Sequence, residues 1–109
     1  MEQYRKIIES DNQITTREVF NRLAYDWKVS TGMLSITTQK YKHPSYQSIL
    51  SLKRNNVIPL ILEELRQRPD WWFNALETLT KQNPVKAGAN FEEAINSWIK
   101  WGKQNNYIE

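Results

Sequence analysis

No cysteine occurs in this chain, which removes disulfides, thiolate nucleophiles and Cys-based zinc sites together. Histidine is reduced to His43 alone, with no HExxH pair, so no His-based metal centre can be assembled and no metal is expected. Three glycines and four prolines exclude a low-complexity or collagen-like chain. They also leave nothing resembling a phosphate loop: Lys86-Ala87-Gly88-Ala89-Asn90 has one glycine and no GK[ST] element. No cofactor is expected. Long apolar runs are missing as well. The longest, Val57 to Leu62, is interrupted by Pro59 and is far too short to cross a bilayer. The opening MEQYRKIIESDNQ lacks a basic stretch followed by an apolar one, so no signal peptide is expected, and the chain reads as soluble and cytoplasmic.

Acidic residues are absent between Asp26 and Glu63, an interval that holds Lys28, Lys40, Lys42, Lys53 and Arg54. The net charge of +3 is thus concentrated in the middle of the chain. Such a segment could meet phosphates or an acidic partner; a solvated surface with ordinary lysines is the plainer reading.

What is present is aromatic and helical. With 109 residues the chain is expected to form one domain over 1–109. Five Trp, five Tyr and three Phe give it the material for a small core. Residues 1–12 show only a weak helical signal and are expected to be loosely ordered. Thr15-x-x-Glu18 has the spacing of a capping box, and Val19, Phe20, Leu23, Ala24 and Trp27 follow as one apolar stripe. That helix should end near Gly32, which suits a left-handed terminal position. Residues 33–42 read as an extended connection.

Three further segments open on cap-and-proline signals at His43-Pro44, Asn56 to Pro59, and Pro69-Asp70. The first buries Tyr46, Ile49 and Leu50, and Lys53 to Asn56 form a turn. The second runs from Val57 to Gln67 with Pro59 in its first turn, burying Val57, Ile58, Ile61, Leu62 and Leu65. The third is capped by Asp70 and runs to Leu79. After a loop at 85–89, Asn90-x-x-Glu93 caps a last helix to Lys103, with Phe91, Ala94, Ile95, Trp98, Ile99 and Trp101 as its apolar residues. The tail 104–109 should fold back through Tyr107 and Ile108. Four to five short helices on short loops define an all-α fold, a compact bundle of helical hairpins.

Catalytic inventory is thin. His43 with Ser45 is the one local nucleophile–base pair, and a His before a Pro is more simply a helix cap. Glu63-Glu64 and Glu92-Glu93 lie on amphipathic helices, where a solvated face accounts for them. The chain is expected not to be an enzyme and to have no catalytic residues. Binding suits it better. Trp71 and Trp72 are consecutive, so on a helix they diverge by about 100° and one of them should remain at a boundary. Trp98 and Trp101 share a face edged by Lys100 and Lys103. Trp71, Trp72, Trp98 and Trp101 are therefore the candidates for contact with another protein, since Trp is enriched at interaction hot spots. Their alternative is a purely structural role in a small core. The rival partner is nucleic acid, met through Lys40, Lys42, Lys53 and Arg54. VIPLILEELRQ is too apolar and acidic to read base edges, so only backbone phosphates would be in question.

Two resemblances add to this. The run Ile49-Leu50-Ser51-Leu52, a turn, and Val57 to Leu65 resembles one HEAT-type helical-repeat unit, although Lys53-Arg54 stands where many such units carry glycine. The resemblance implies a packing style. The pattern from Trp27 through HPSYQSI, VIPLILEELRQRPDWWFNALETLT, NPV and WIKWGKQNNYI is similar to a family of small, uncharacterised bacterial proteins. It covers roughly four-fifths of the chain, implies a bacterial origin, and transfers no functional residues. The function expected is a small interaction module, a non-catalytic antitoxin-, inhibitor- or adaptor-like subunit.

Overall fold

The computed structural model describes residues 12–32 and 37–109. Among them there are six helices and no strand: α1 (Asn12–Thr31), α2 (Thr37–Tyr41), α3 (Pro44–Leu50), α4 (Arg54–Gln67), α5 (Phe73–Thr80) and α6 (Phe91–Gln104). The chain is all-α. Its backbone contacts cluster into two compact units, one ending at Val57 and the other beginning at Ile58, so α4 starts in the first and continues in the second. The expectations for residues 1–11 and 33–36 lie outside the described residues. Among those described, no helix is long and apolar enough to cross a membrane.

In the first unit α1 packs along α3, and α2 against α3. Phe20, Ala24, Trp27 and Thr31, spaced four, three and four residues apart, form the buried stripe of α1. Val19 was expected in that stripe but is 40% exposed, because the buried arc is narrower than the run of apolar residues. Thr15 lies inside α1, which begins at Asn12, so the Glu18 amide that it would cap is already part of the helical ladder. Gly32 is not in the left-handed region, and a Cβ there would sit 3.1 Å from the Lys28 carbonyl. Instead the Thr31 hydroxyl donates to the Trp27 carbonyl at 2.6 Å.

Trp27 organises this unit. Its indole N–H donates to the Lys40 carbonyl at 2.9 Å, and its ring lies 5.0 Å from that of Tyr46. Tyr46 in turn lies 5.3 Å from Tyr41. The carbonyl that receives Trp27 belongs to α2, so residues 37–41 form a helical turn where an extended connection was expected. A seven-residue helix such as α3 is unstable alone. It is held by Pro44 in its first turn, by the His43 Nδ1 accepting from the Ser45 amide at 3.1 Å, and by the Ser45 hydroxyl donating to the Asp26 carboxylate.

Two starts shift in and after α4. The helix opens at Arg54, where the Lys53 carbonyl accepts the amides of Asn56 and Val57 at 3.0 and 2.9 Å. Arg54, Asn55 and Asn56 are therefore its first turn rather than a connecting turn. Pro59 is then inside the helix and removes the bond its amide would make to the Asn55 carbonyl, which is tolerable because Asn55 is exposed. Val57, Ile58, Leu60, Ile61, Leu62 and Leu65 are buried. Glu64, expected on a solvated face, is 7% exposed and receives the Arg68 fork, with Nη2 to Oε1 at 2.8 Å and Nε to both oxygens at 3.2 Å.

Asp70 does not cap α5. Its carboxylate accepts the amide of the next residue, Trp71, at 2.7 Å, and the helix begins three residues later at Phe73 with Trp72 as N-cap. Ala75, Leu76, Leu79 and Thr80 are its buried residues. Lys81, in the left-handed region at φ 61°, ends it by donating its amide to the Glu77 carbonyl at 2.8 Å. Asn90 opens α6 through a reciprocal capping box: its Oδ1 accepts the Glu93 amide at 2.8 Å, and its own amide donates to Glu93 Oε1 at 3.0 Å. At Gly102 the helix comes so close to Leu62 that a Cβ would lie 2.7 Å from Leu62 Cδ1. The tail returns through Asn106 at φ 63°, so that Tyr107 donates its amide to the Gly102 carbonyl at 2.9 Å and stacks on Trp101 at 5.5 Å.

Candidate functional site

The second unit carries an open pocket of about 260 Å³. Three stretches build it. The start of α5 contributes Trp71, Phe73 and, one turn on, Glu77. The connection between α5 and α6 contributes Asn83, Val85 and Ala89. The start of α6 contributes Asn90, Phe91 and Ala94, with Trp98 further along. Local chemistry sets this course. Asn83 Oδ1 accepts the Val85 amide at 3.0 Å across Pro84, and the Asn90 capping box fixes where Phe91 leaves the helix start.

Trp71, Phe73 and Phe91 form a cluster of mutually edge-on rings. Centroids lie 4.9 Å apart for Trp71–Phe91, 5.6 Å for Phe73–Phe91 and 5.8 Å for Trp71–Phe73. Edge-to-face contact sets the positive edge of one ring on the negative face of another and fixes each orientation. Trp71 and Phe91 nevertheless remain 37% exposed, far from what rings of that size show in a core. Glu77 is the one ionisable residue lining the pocket, and among the described residues its carboxylate has neither a hydrogen bond nor an ion pair.

The four tryptophans expected at a contact face divide. Trp71 is at the rim. Trp98 lines the same pocket but is fully buried, in edge contact with Trp101 at 5.4 Å. Trp72 is fully buried. Trp101 is nearly so, its indole N–H donating to Gln82 Oε1 at 3.0 Å, and it borders a second pocket of about 270 Å³ with Pro84, Lys86 and Lys100. Phe73, Glu77 and Phe91 were missed as site residues. Phe91 fits the apolar run of α6 in sequence, but it stands directly after the Asn90 cap, at a helix end where one face need not be covered.

The basic residues form two pairs. Lys40 and Lys42 precede α3, and Lys53 and Arg54 follow it, so each pair stands at one end of a helix about 10 Å long by its seven residues. Lys42, Lys53 and Arg54 are exposed and Lys40 is half-buried.

His43, Ser45 and Asp26 do converge, but not as a catalytic constellation. The Ser45 hydroxyl donates a hydrogen bond directly to the Asp26 carboxylate, and His43 Nδ1 accepts from the Ser45 backbone amide, so no imidazole stands between nucleophile and carboxylate. Glu63 pairs with Arg66 at 3.2 Å, Glu64 with Arg68, and Glu93 serves the cap. The hydrogen bonds from Arg68 to the Glu64 carboxylate, and the charge of that carboxylate, push the guanidinium pKa above its ordinary value. Among the described residues no three His, Asp or Glu side chains are placed to hold a metal ion. No family model, curated protein or solved structure matches this chain.

Proposed function

We propose that this chain is a protein-interaction module, a non-catalytic adaptor- or inhibitor-like subunit, that seats one side chain of another protein in the pocket framed by Trp71, Phe73 and Phe91. The observation that carries this reading is the pair of partly exposed rings, Trp71 and Phe91, packed edge-on against Phe73 at the mouth of a concavity. Fixed aromatic rings lose little conformational freedom on contact and are enriched where binding energy concentrates. The size of the cavity points the same way. At about 260 Å³ it has room for a single side chain.

Selection from a displayed library of random peptides tests the reading. Wild-type protein should enrich peptides that share one anchor residue, and the Trp71→Ala, Phe91→Ala double variant, folded by circular dichroism, should lose them. Enriched peptides that bind this variant as well as wild type would reject the pocket as the contact site.

A further inference from the structure

The lining of this pocket is aromatic and anionic, and that combination selects among side chains. On the proposed reading of the pocket as a docking site, we infer that the anchor it takes is an arginine side chain of the partner protein. Each aromatic face is the negative pole of its ring quadrupole, so exposed Trp71 and Phe91 attract a cation laid against them. Glu77, without an ion pair among the described residues, supplies a full negative charge in the same concavity, and no cationic side chain lines it. A neutral apolar anchor would cover the rings and leave the Glu77 carboxylate partly dehydrated with nothing in return.

The other polar groups agree. The side-chain oxygens of Asn83 and Asn90 each already accept a backbone amide, from Val85 and Glu93, and Glu77 is the one charged acceptor of the lining. Trp98 brings no donor into play, since its indole nitrogen is sealed from solvent. The start of α6 would by itself favour an anion, but Glu92 and Glu93 occupy its first turn and the capping box consumes two of its amides' bonding needs. Arginine fits better than lysine for two reasons. Its planar guanidinium can stack on an indole, and its fork can meet a carboxylate through two hydrogen bonds, whereas an ammonium is a compact, strongly hydrated point charge.

The test uses three blocked amino acids as probes: the acetyl methylamides of arginine, lysine and norleucine. They are titrated into the isotope-labelled full chain at low ionic strength, following the indole resonance of Trp71 and the backbone amides of Phe73, Glu77 and Phe91. The arginine probe should bind about tenfold more tightly than norleucine and about threefold more tightly than lysine. Glu77→Gln should remove most of the arginine preference, weakening the arginine probe and relieving the desolvation cost paid by norleucine, with the far-ultraviolet spectrum unchanged. Equal binding of norleucine and arginine, or an arginine preference that survives Glu77→Gln, would overturn the arginine anchor. Lysine matching arginine would overturn it too. These results leave the docking reading standing as long as the shifts map to the pocket. Shifts confined to other parts of the chain would overturn both.

Discussion

Trp71 and Trp72 are adjacent in sequence, yet replacing them should have opposite consequences. Trp72 is fully buried in the second unit, so Trp72→Ala removes a whole indole from packed surroundings. Lost transfer energy and the cavity left behind place its cost at about 3–5 kcal/mol. A domain of this size is stable by about 5–15 kcal/mol, so the variant should unfold at much lower urea concentration or fail to fold. Trp71 is 37% exposed and touches Phe73 and Phe91 by its ring edges. Its replacement forfeits one side of a surface cluster, worth about 1–2 kcal/mol, with the fold intact. Equilibrium urea denaturation followed by circular dichroism at 222 nm measures both, and the three tryptophans common to the two variants, at positions 27, 98 and 101, report independently by fluorescence. Comparable losses for the two variants, or a larger loss for Trp71→Ala, would refute the assignment of one ring to the core and the other to the surface.

Gly102→Val should destabilise by about 1–3 kcal/mol in the same assay, because the added Cβ would press on the fully buried Leu62 at 2.7 Å and on Ile108, outweighing the helix propensity gained. Asn90→Ala should cost about 1 kcal/mol and speed hydrogen exchange at the Glu93 amide, which loses its side-chain acceptor. Ser45→Ala should cost about 1 kcal/mol through the lost hydrogen bond to exposed Asp26, and Ser45→Thr should restore part of it. A Ser45→Ala variant as stable as wild type would show that water replaces the hydroxyl without loss.

Signals confined to one turn of chain were readable in the sequence where the surrounding backbone agreed with them. Asn90-x-x-Glu93 forms its capping box because α6 does begin there. Thr15-x-x-Glu18 has similar chemistry but falls inside a helix already begun at Asn12, where the amides have carbonyl partners and a cap has nothing to satisfy. Pro59 drew the expected start of α4 three residues too late, since proline favours a first turn but survives deeper where its unbonded carbonyl partner meets water. Asp70 has the chemistry of a cap, but its side chain turns to the nearest amide instead. The divergence of Trp71 and Trp72 was expected from helical geometry; it arises just before the helix, with Trp72 at the cap.

The candidate site is harder to read because it is not local. Phe73, Val85 and Phe91 belong to three stretches brought together by the bend at Lys81 and the turn at Ala87–Gly88. Composition can say that aromatics are in surplus; it cannot say which rings the packing leaves uncovered. Trp98 and Trp101 looked like an edge because Lys100 and Lys103 flank them, yet their indoles point inward while the lysines stay outside.

The most direct test of the pocket as the contact site is the affinity of an enriched peptide for three forms of the full chain. These are wild type, the Trp71→Ala, Phe91→Ala double variant, and a Lys40→Glu, Lys53→Glu double variant that alters the first unit. The aromatic variant should lose at least tenfold in affinity and the charge variant should bind as wild type does. The reverse pattern, with affinity carried by Lys40 and Lys53 and falling steeply with salt, would contradict this and move the contact surface to the basic segment.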